Sequence, residues 1–93
     1  MEKMVTLTGQ LICANQAELA LVEELLPEHI SLTRTENGCV SFDVVQTTNP
    51  LVWDVSEVFV DSDALAAHQK RAAESRWGQA TNRIERRYLV TEN

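Results

Sequence analysis

No stretch of this chain is apolar for anything near the roughly 18 residues a membrane-spanning helix requires. The opening Met1-Glu2-Lys3-Met4 leads straight into a strand pattern without a secretory leader, so a cytoplasmic protein without a membrane partner is expected. Cysteine is scarce. Cys13 and Cys39 form neither a CxxC pair nor a set with clustered histidines, which argues against structural zinc and redox-disulfide chemistry and leaves two small buried thiols. Glycine (3) and proline (2) are too few for a collagen-like or low-complexity chain. Basic residues are outnumbered 8 to 14, and the resulting net charge of −6 repels phosphate backbones, so no nucleic-acid partner is expected. GxGxxG, GxxxxGK[ST], HExxH and a serine elbow are all missing, and no cofactor or metal is expected.

What is present is a pattern for one small domain over residues 1–93, with 44% hydrophobic residues. From Met4 to Ala14 the sequence alternates. Val5, Leu7, Leu11 and Cys13 fall on one face and Thr6, Thr8, Gln10 and Ile12 on the other, with Gly9 marking a bulge or a close approach. Asn15 and Glu18 have the spacing of a helix-capping pair. Leu19, Val22, Leu25, Leu26 and Ile30 then recur at helical spacing. Pro27 lies inside that run and predicts a kink or a break near Leu26. His29, among glutamates beside Pro27, reads as a surface residue.

Asn37-Gly38 ends the helical region, and Cys39 to Thr47 reads as a strand with Val40, Phe42 and Val44 on one side. Thr48-Asn49-Pro50 is a turn, and Leu51 to Val60 the second strand of a hairpin. Leu51, Trp53, Val55 and Phe59 line one face of that strand and Val52, Val58 and Val60 the other. Both faces therefore call for cover. Asp61-Ser62-Asp63 starts an Ala-rich helix whose inward stripe is Leu65, His68 and Ala72, ending near Trp77-Gly78 with a short turn after it. Asn82 to Thr91 closes the chain as a strand.

The element order βαββαβ is the ferredoxin-like α+β arrangement: a four-stranded antiparallel sheet with both helices on one face. The other sheet face is apolar enough that a homodimer is the expected way to cover it. In that strand order the first two strands are not neighbours, so Cys13 and Cys39 should remain unpaired. Arg71, Arg76, Arg83, Arg86 and Arg87 gather in the last quarter. They read either as a solvated helix face or as a local anion site.

Three runs resemble the antibiotic biosynthesis monooxygenase (ABM) domains: Glu36-Asn37-Gly38-Cys39-Val40-Ser41-Phe42-Asp43, Glu57-Val58-Phe59-Val60-Asp61, and Ala64-Leu65-Ala66-Ala67-His68. The resemblance extends from about Val5 to Val90. It implies a dimeric α+β barrel, with a pocket between sheet and helices in each subunit. Some members of the family resemble cofactor-independent monooxygenases of aromatic polyketides or quinols; others degrade haem or isomerise a small metabolite. Two departures matter. The Pro-His that often follows the first helix histidine is replaced by Lys70 to Trp77. The asparagine and late-helix histidine of haem-degrading members are also missing, which disfavours haem chemistry.

His68 is the candidate general base, since imidazole titrates near neutrality, although a histidine on an apolar stripe also serves as a hydrogen-bonded core residue. Glu57, a carboxylate on an otherwise apolar strand face, is the second catalytic candidate; pairing with an arginine or a backbone group is the alternative. Trp53, Trp77, Phe42 and Phe59 are candidates to pack a flat organic substrate, with Phe42 the most core-like of them. The expected function is a cofactor-independent monooxygenase of a small aromatic, phenolic or quinol-type compound. An isomerase or lyase, or a non-catalytic small-molecule-binding dimer, is the alternative on the same scaffold.

Overall fold

Alternation decides the first strand, β1 (Val5–Ile12), in which Val5, Leu7 and Leu11 are buried while Thr8 and Gln10 are exposed. The computed structural model describes residues 3–92; Met1, Glu2 and Asn93, which fall within the single domain expected from sequence, lie outside the described residues. After β1 come α1 (Gln16–Arg34), β2 (Cys39–Gln46), β3 (Val52–Phe59), α2 (Ser62–Glu74), α3 (Arg76–Thr81) and β4 (Glu85–Glu92). The strands form one antiparallel sheet in the order β2-β3-β1-β4, the ferredoxin-like α+β topology. β3 separates β1 from β2, and Cys13 and Cys39 are both free thiols. Among the described residues no helix is long and apolar enough to cross a membrane.

The caps follow the sequence. Asn15 Oδ1 accepts from the Glu18 amide at 2.9 Å, and Glu18 Oε1 in turn accepts from the Ala14 amide at 2.7 Å. Asp61 Oδ1 takes the Ala64 amide at 2.7 Å and opens α2. One face of the sheet and the inner stripes of the helices share a core of Val5, Leu7, Leu11, Val22, Val55, Phe59 and Leu65. Burying side chains of this size stabilises by about 1.5–3 kcal/mol each.

Three local expectations are corrected, and the two readings of Gly9 are decided between. α1 runs unbroken through Pro27: its inner stripe, Val22, Leu25, Leu26, His29 and Thr33, is buried on both sides of the proline, and that packing outweighs one lost amide bond. The second helix stops before Trp77, at Ser75, which caps α2 and starts α3 by accepting the Gly78 amide at 3.2 Å. A bulge between Cys39 and Ser41 turns Val40 away from the Phe42 face and leaves it 53% exposed. Gly9 is not a bulge, because its pairing with Val55 and Tyr88 is in unbroken register. It is a close approach: a Cβ there would lie 1.9 Å from the Arg87 carbonyl oxygen.

Candidate active site

The register places Leu7 opposite Glu57, and Gly9 opposite Tyr88, on the sheet face that the helices cover. Space remains between strands β1, β3 and β4 and the helices α2 and α3. It forms a cavity of about 420 Å³ with Glu57, His68, His29, Trp77, Arg86 and Tyr88 in its walls. That volume is within the range of small-molecule sites.

α2 carries His68 inward at the level of Glu57, and the two meet with Nε2 3.7 Å from Oε1. The other ring nitrogen, Nδ1, is 2.8 Å from Glu36 Oε1. A carboxylate accepts only, so Nδ1 carries the proton and Nε2 keeps its lone pair toward Glu57 and the cavity. Glu36 is itself held by Arg71, whose Nε donates to Oε2 at 2.7 Å and whose Nη2 donates to Thr33 Oγ1 at 2.9 Å. The Thr33 hydroxyl donates to the His29 carbonyl at 2.7 Å. A chain of charge-assisted bonds thus fixes the imidazole in one orientation.

Electrostatics set the protonation states. Burial pushes the Glu57 carboxyl up to about 7, the negative charge of Glu36 adds to the rise, and Arg86 partly opposes it. Burial also lowers His68, against the hydrogen bond and charge of Glu36, which hold it up. His29 is driven down to about 3 by burial first, then by His68, Arg71 and Arg86. Near neutral pH the cavity therefore holds two neutral imidazoles beside a carboxyl that is about half protonated.

Trp77 owes its place to Gly78. A Cβ at Gly78 would lie 2.1 Å from the Ala72 carbonyl oxygen, so only glycine lets α3 cross the end of α2 this closely. The indole stacks on His29, with centroids 4.9 Å apart and planes 9° apart, and the Arg86 guanidinium carbon lies 5.9 Å from the indole centroid.

Of the residues singled out from sequence, His68, Glu57 and Trp77 are brought together in the cavity wall. Phe59 and Phe42 stand behind it. Phe59 is 5.0 Å and Phe42 5.7 Å from the His68 ring, and both are buried. Trp53 belongs to the core, away from the cavity lining. His29, expected at the surface, is 5% exposed and lines the cavity, because it continues the buried stripe of α1. The basic residues of the last quarter do not gather into an anion site. Arg71 holds Glu36, Arg76 reaches Glu28, Arg87 pairs with Glu85, and of the five only Arg86 faces the cavity. Sequence reasoning also missed Glu36, Arg71 and Tyr88 as neighbours of the site. Glu36 begins the first of the three resembling runs, which was the available signal.

Residues 4–80 match the family described as antibiotic biosynthesis monooxygenase. No functionally curated protein matches the chain. Among solved structures, a conserved protein of Bacteroides thetaiotaomicron described as a possible oxidoreductase is similar at a TM-score of 0.84, with 20% identity over 100% of both chains. MupZ from Pseudomonas fluorescens has a TM-score of 0.77 and 21% identity, covering 97% of this chain and 68% of its own. PA3566 from Pseudomonas aeruginosa has a TM-score of 0.72 and 20% identity, covering 100% of this chain and 94% of its own. At such identities these likenesses speak for the fold.

Proposed function

The chain belongs to the antibiotic biosynthesis monooxygenase family, and from that premise we propose that it is a cofactor-independent oxygenase of a small phenolic or quinol-type substrate. The observation that carries this reading is His68 Nε2, an unprotonated nitrogen facing the cavity, with Glu36 behind the ring and Glu57 in front of it. Without a cofactor the substrate must supply all four electrons that reduce O2. Neutral Nε2 takes the phenol proton, and the electron-rich phenolate reacts with O2 at a ring carbon to form a hydroperoxide, protonated by His68. His68 then removes the proton from that carbon as the O–O bond breaks. The departing hydroxide takes the Glu57 proton and leaves as water, and His68 returns a proton to Glu57. The sum is phenol plus O2 giving quinone plus water. Trp77 packs the ring, and the apolar wall keeps water away from the anion.

The test is oxygen uptake with α-naphthol and anthrone under isotopically labelled O2. One labelled oxygen atom in the product and none released as peroxide is the expected result. A second reading, an isomerase or lyase, draws on the same acid–base pair; proton exchange at a substrate carbon under nitrogen, with no oxygen uptake, would favour it. Binding without either reaction would leave a non-catalytic site.

We also propose that the protein works as a homodimer. The sheet face away from the helices carries half-buried Ile12, Val52 and Val58 and exposed Val45 and Leu89, a surface suited to a second copy. Sedimentation at micromolar concentration should give twice the 10.5 kDa chain mass. A well-folded monomer would overturn the barrel reading.

A further inference from the structure

We propose that His29 is the second working imidazole of the cavity: a hydrogen-bond donor that recognises a carbonyl or phenolate oxygen of the substrate. This rests on the reading of the cavity as a substrate site, and it narrows the substrate class to compounds carrying such an oxygen next to an acidic proton.

The argument starts from the nitrogen that has no partner. Among the described residues His29 Nδ1 is buried and makes no hydrogen bond, whereas Nε2 is not among the buried, unpartnered atoms, although no described residue bonds to it either. A proton on Nδ1 would be a buried donor without an acceptor, the costlier way to leave a polar group unmade. The proton therefore sits on Nε2, the ring nitrogen with access to the cavity. The plane of the ring is fixed by its neighbours. It is stacked on Trp77 on one side and meets Phe42 edge-on, at 5.4 Å and 82°, on another. Nor does it act as a base. His68, Arg71 and Arg86 all face it, and burial with these charges keeps it neutral down to about pH 3. A neutral N–H held rigidly in an apolar wall is a donor for charge that develops on oxygen.

The two imidazoles are thus fixed in opposite tautomers. His68 is protonated on Nδ1 by its bond to Glu36 and offers a lone pair; His29 is protonated on Nε2 and offers a hydrogen. Their ring centroids are 5.8 Å apart, so one substrate can meet both. A base at one atom and a donor at an oxygen conjugated to it is the arrangement that stabilises an enolate or phenolate.

Three measurements test the assignment without relying on turnover. Nitrogen–proton NMR correlations on imidazole-labelled protein at neutral pH should place the His29 proton on Nε2; a proton on Nδ1, or on both nitrogens, overturns the proposal. Binding of α-tetralone should be favoured over tetralin, its carbonyl-free counterpart. His29→Phe keeps the stacking and should reduce that preference roughly three- to tenfold, the range of one neutral hydrogen bond. His29→Gln, which restores a donor near the same place, should recover it. The infrared carbonyl stretch of bound α-tetralone should lie lower in the native protein than in His29→Phe. An unchanged preference and an unchanged stretch in a folded His29→Phe protein would refute the assignment. Failure of oxygen uptake with these results intact would instead dismiss the oxygenase and leave the donor in place.

Discussion

Replacing His68 with alanine is expected to slow turnover of α-naphthol by roughly 10²–10⁴-fold, the usual contribution of a general base. The folded structure should survive, because Arg71 still holds Glu36 and the Leu65 face of α2 remains packed. The pH profile carries a second, sharper expectation. The base must be unprotonated, and His68 lies below the ordinary histidine range, so the rate should fall on the acid side only below that range. The acid must be protonated, and Glu57 titrates at about 7, so the rate should also fall as pH rises past neutrality. The outcome is a bell whose alkaline limb belongs to a carboxyl group. Turnover and melting temperature measured on the same His68→Ala protein separate catalysis from packing. If activity per folded molecule is unchanged, His68 is structural and Glu57 becomes the remaining candidate.

Glu57→Gln is expected to stabilise the protein at alkaline pH while removing the proposed catalytic acid. Glu57 is 6% exposed, and burial raises its carboxyl to about 7 from an ordinary 4.5. In the native protein the group holds its proton more tightly than in the unfolded chain, so its contribution is fully present below about pH 4.5. That contribution is lost as pH rises toward 7, where the folded protein must carry a buried carboxylate. By pH 8 the difference is on the order of 3 kcal/mol. Glutamine mimics the protonated carboxyl and avoids this cost. Urea unfolding at pH 8 should show the variant more stable by about that amount, equivalent to a rise in Tm of about 10–20 °C for a domain of this size. At pH 4 the two proteins should be nearly equal. Lowered histidine values act with the opposite sign, since His29 and His68 destabilise the fold as pH falls below about 6.5. Both proteins share that loss, so their difference isolates Glu57. An equal difference at both pH values would show that Glu57 is not a strained buried acid.

The scaffold was legible because its signals are local. Alternation in β1, the Asn15 and Asp61 caps and the apolar inner stripes are written within ten or so residues of one another, and they specify element type and order. His68, Glu57 and Trp77 could be picked out for a related reason: each is an unusual residue on a face whose neighbours are predictable. Glu36 could not be assigned its role in the same way, because its bond to His68 spans 32 positions and depends on how the loop after α1 docks on α2. His29 was misread for a different reason. Its spacing from Val22, Leu26 and Thr33 fits the buried stripe, but the proline two residues earlier was given more weight than the period. Val40 shows the matching limit for strands, since a single-residue bulge reverses the face and leaves no mark in composition.

The pairing of β1 with β4 joins Val5 to Glu92 and Ile12 to Glu85, the most sequence-distant contacts of the sheet. Closing a loop of that length adds an entropic cost to the β1–β4 pairing that the local β2–β3 hairpin does not carry. Arg86 and Tyr88 are carried by β4, so the cavity lacks its outer wall until that pairing is made. The same geometry ranks the finished molecule by local stability. β4, like β2 at the opposite edge, is joined to the sheet along one neighbour, so its amides should exchange with solvent hydrogen sooner than those of β3, and the wall beside Glu57 and His68 should open more readily than the centre of the sheet.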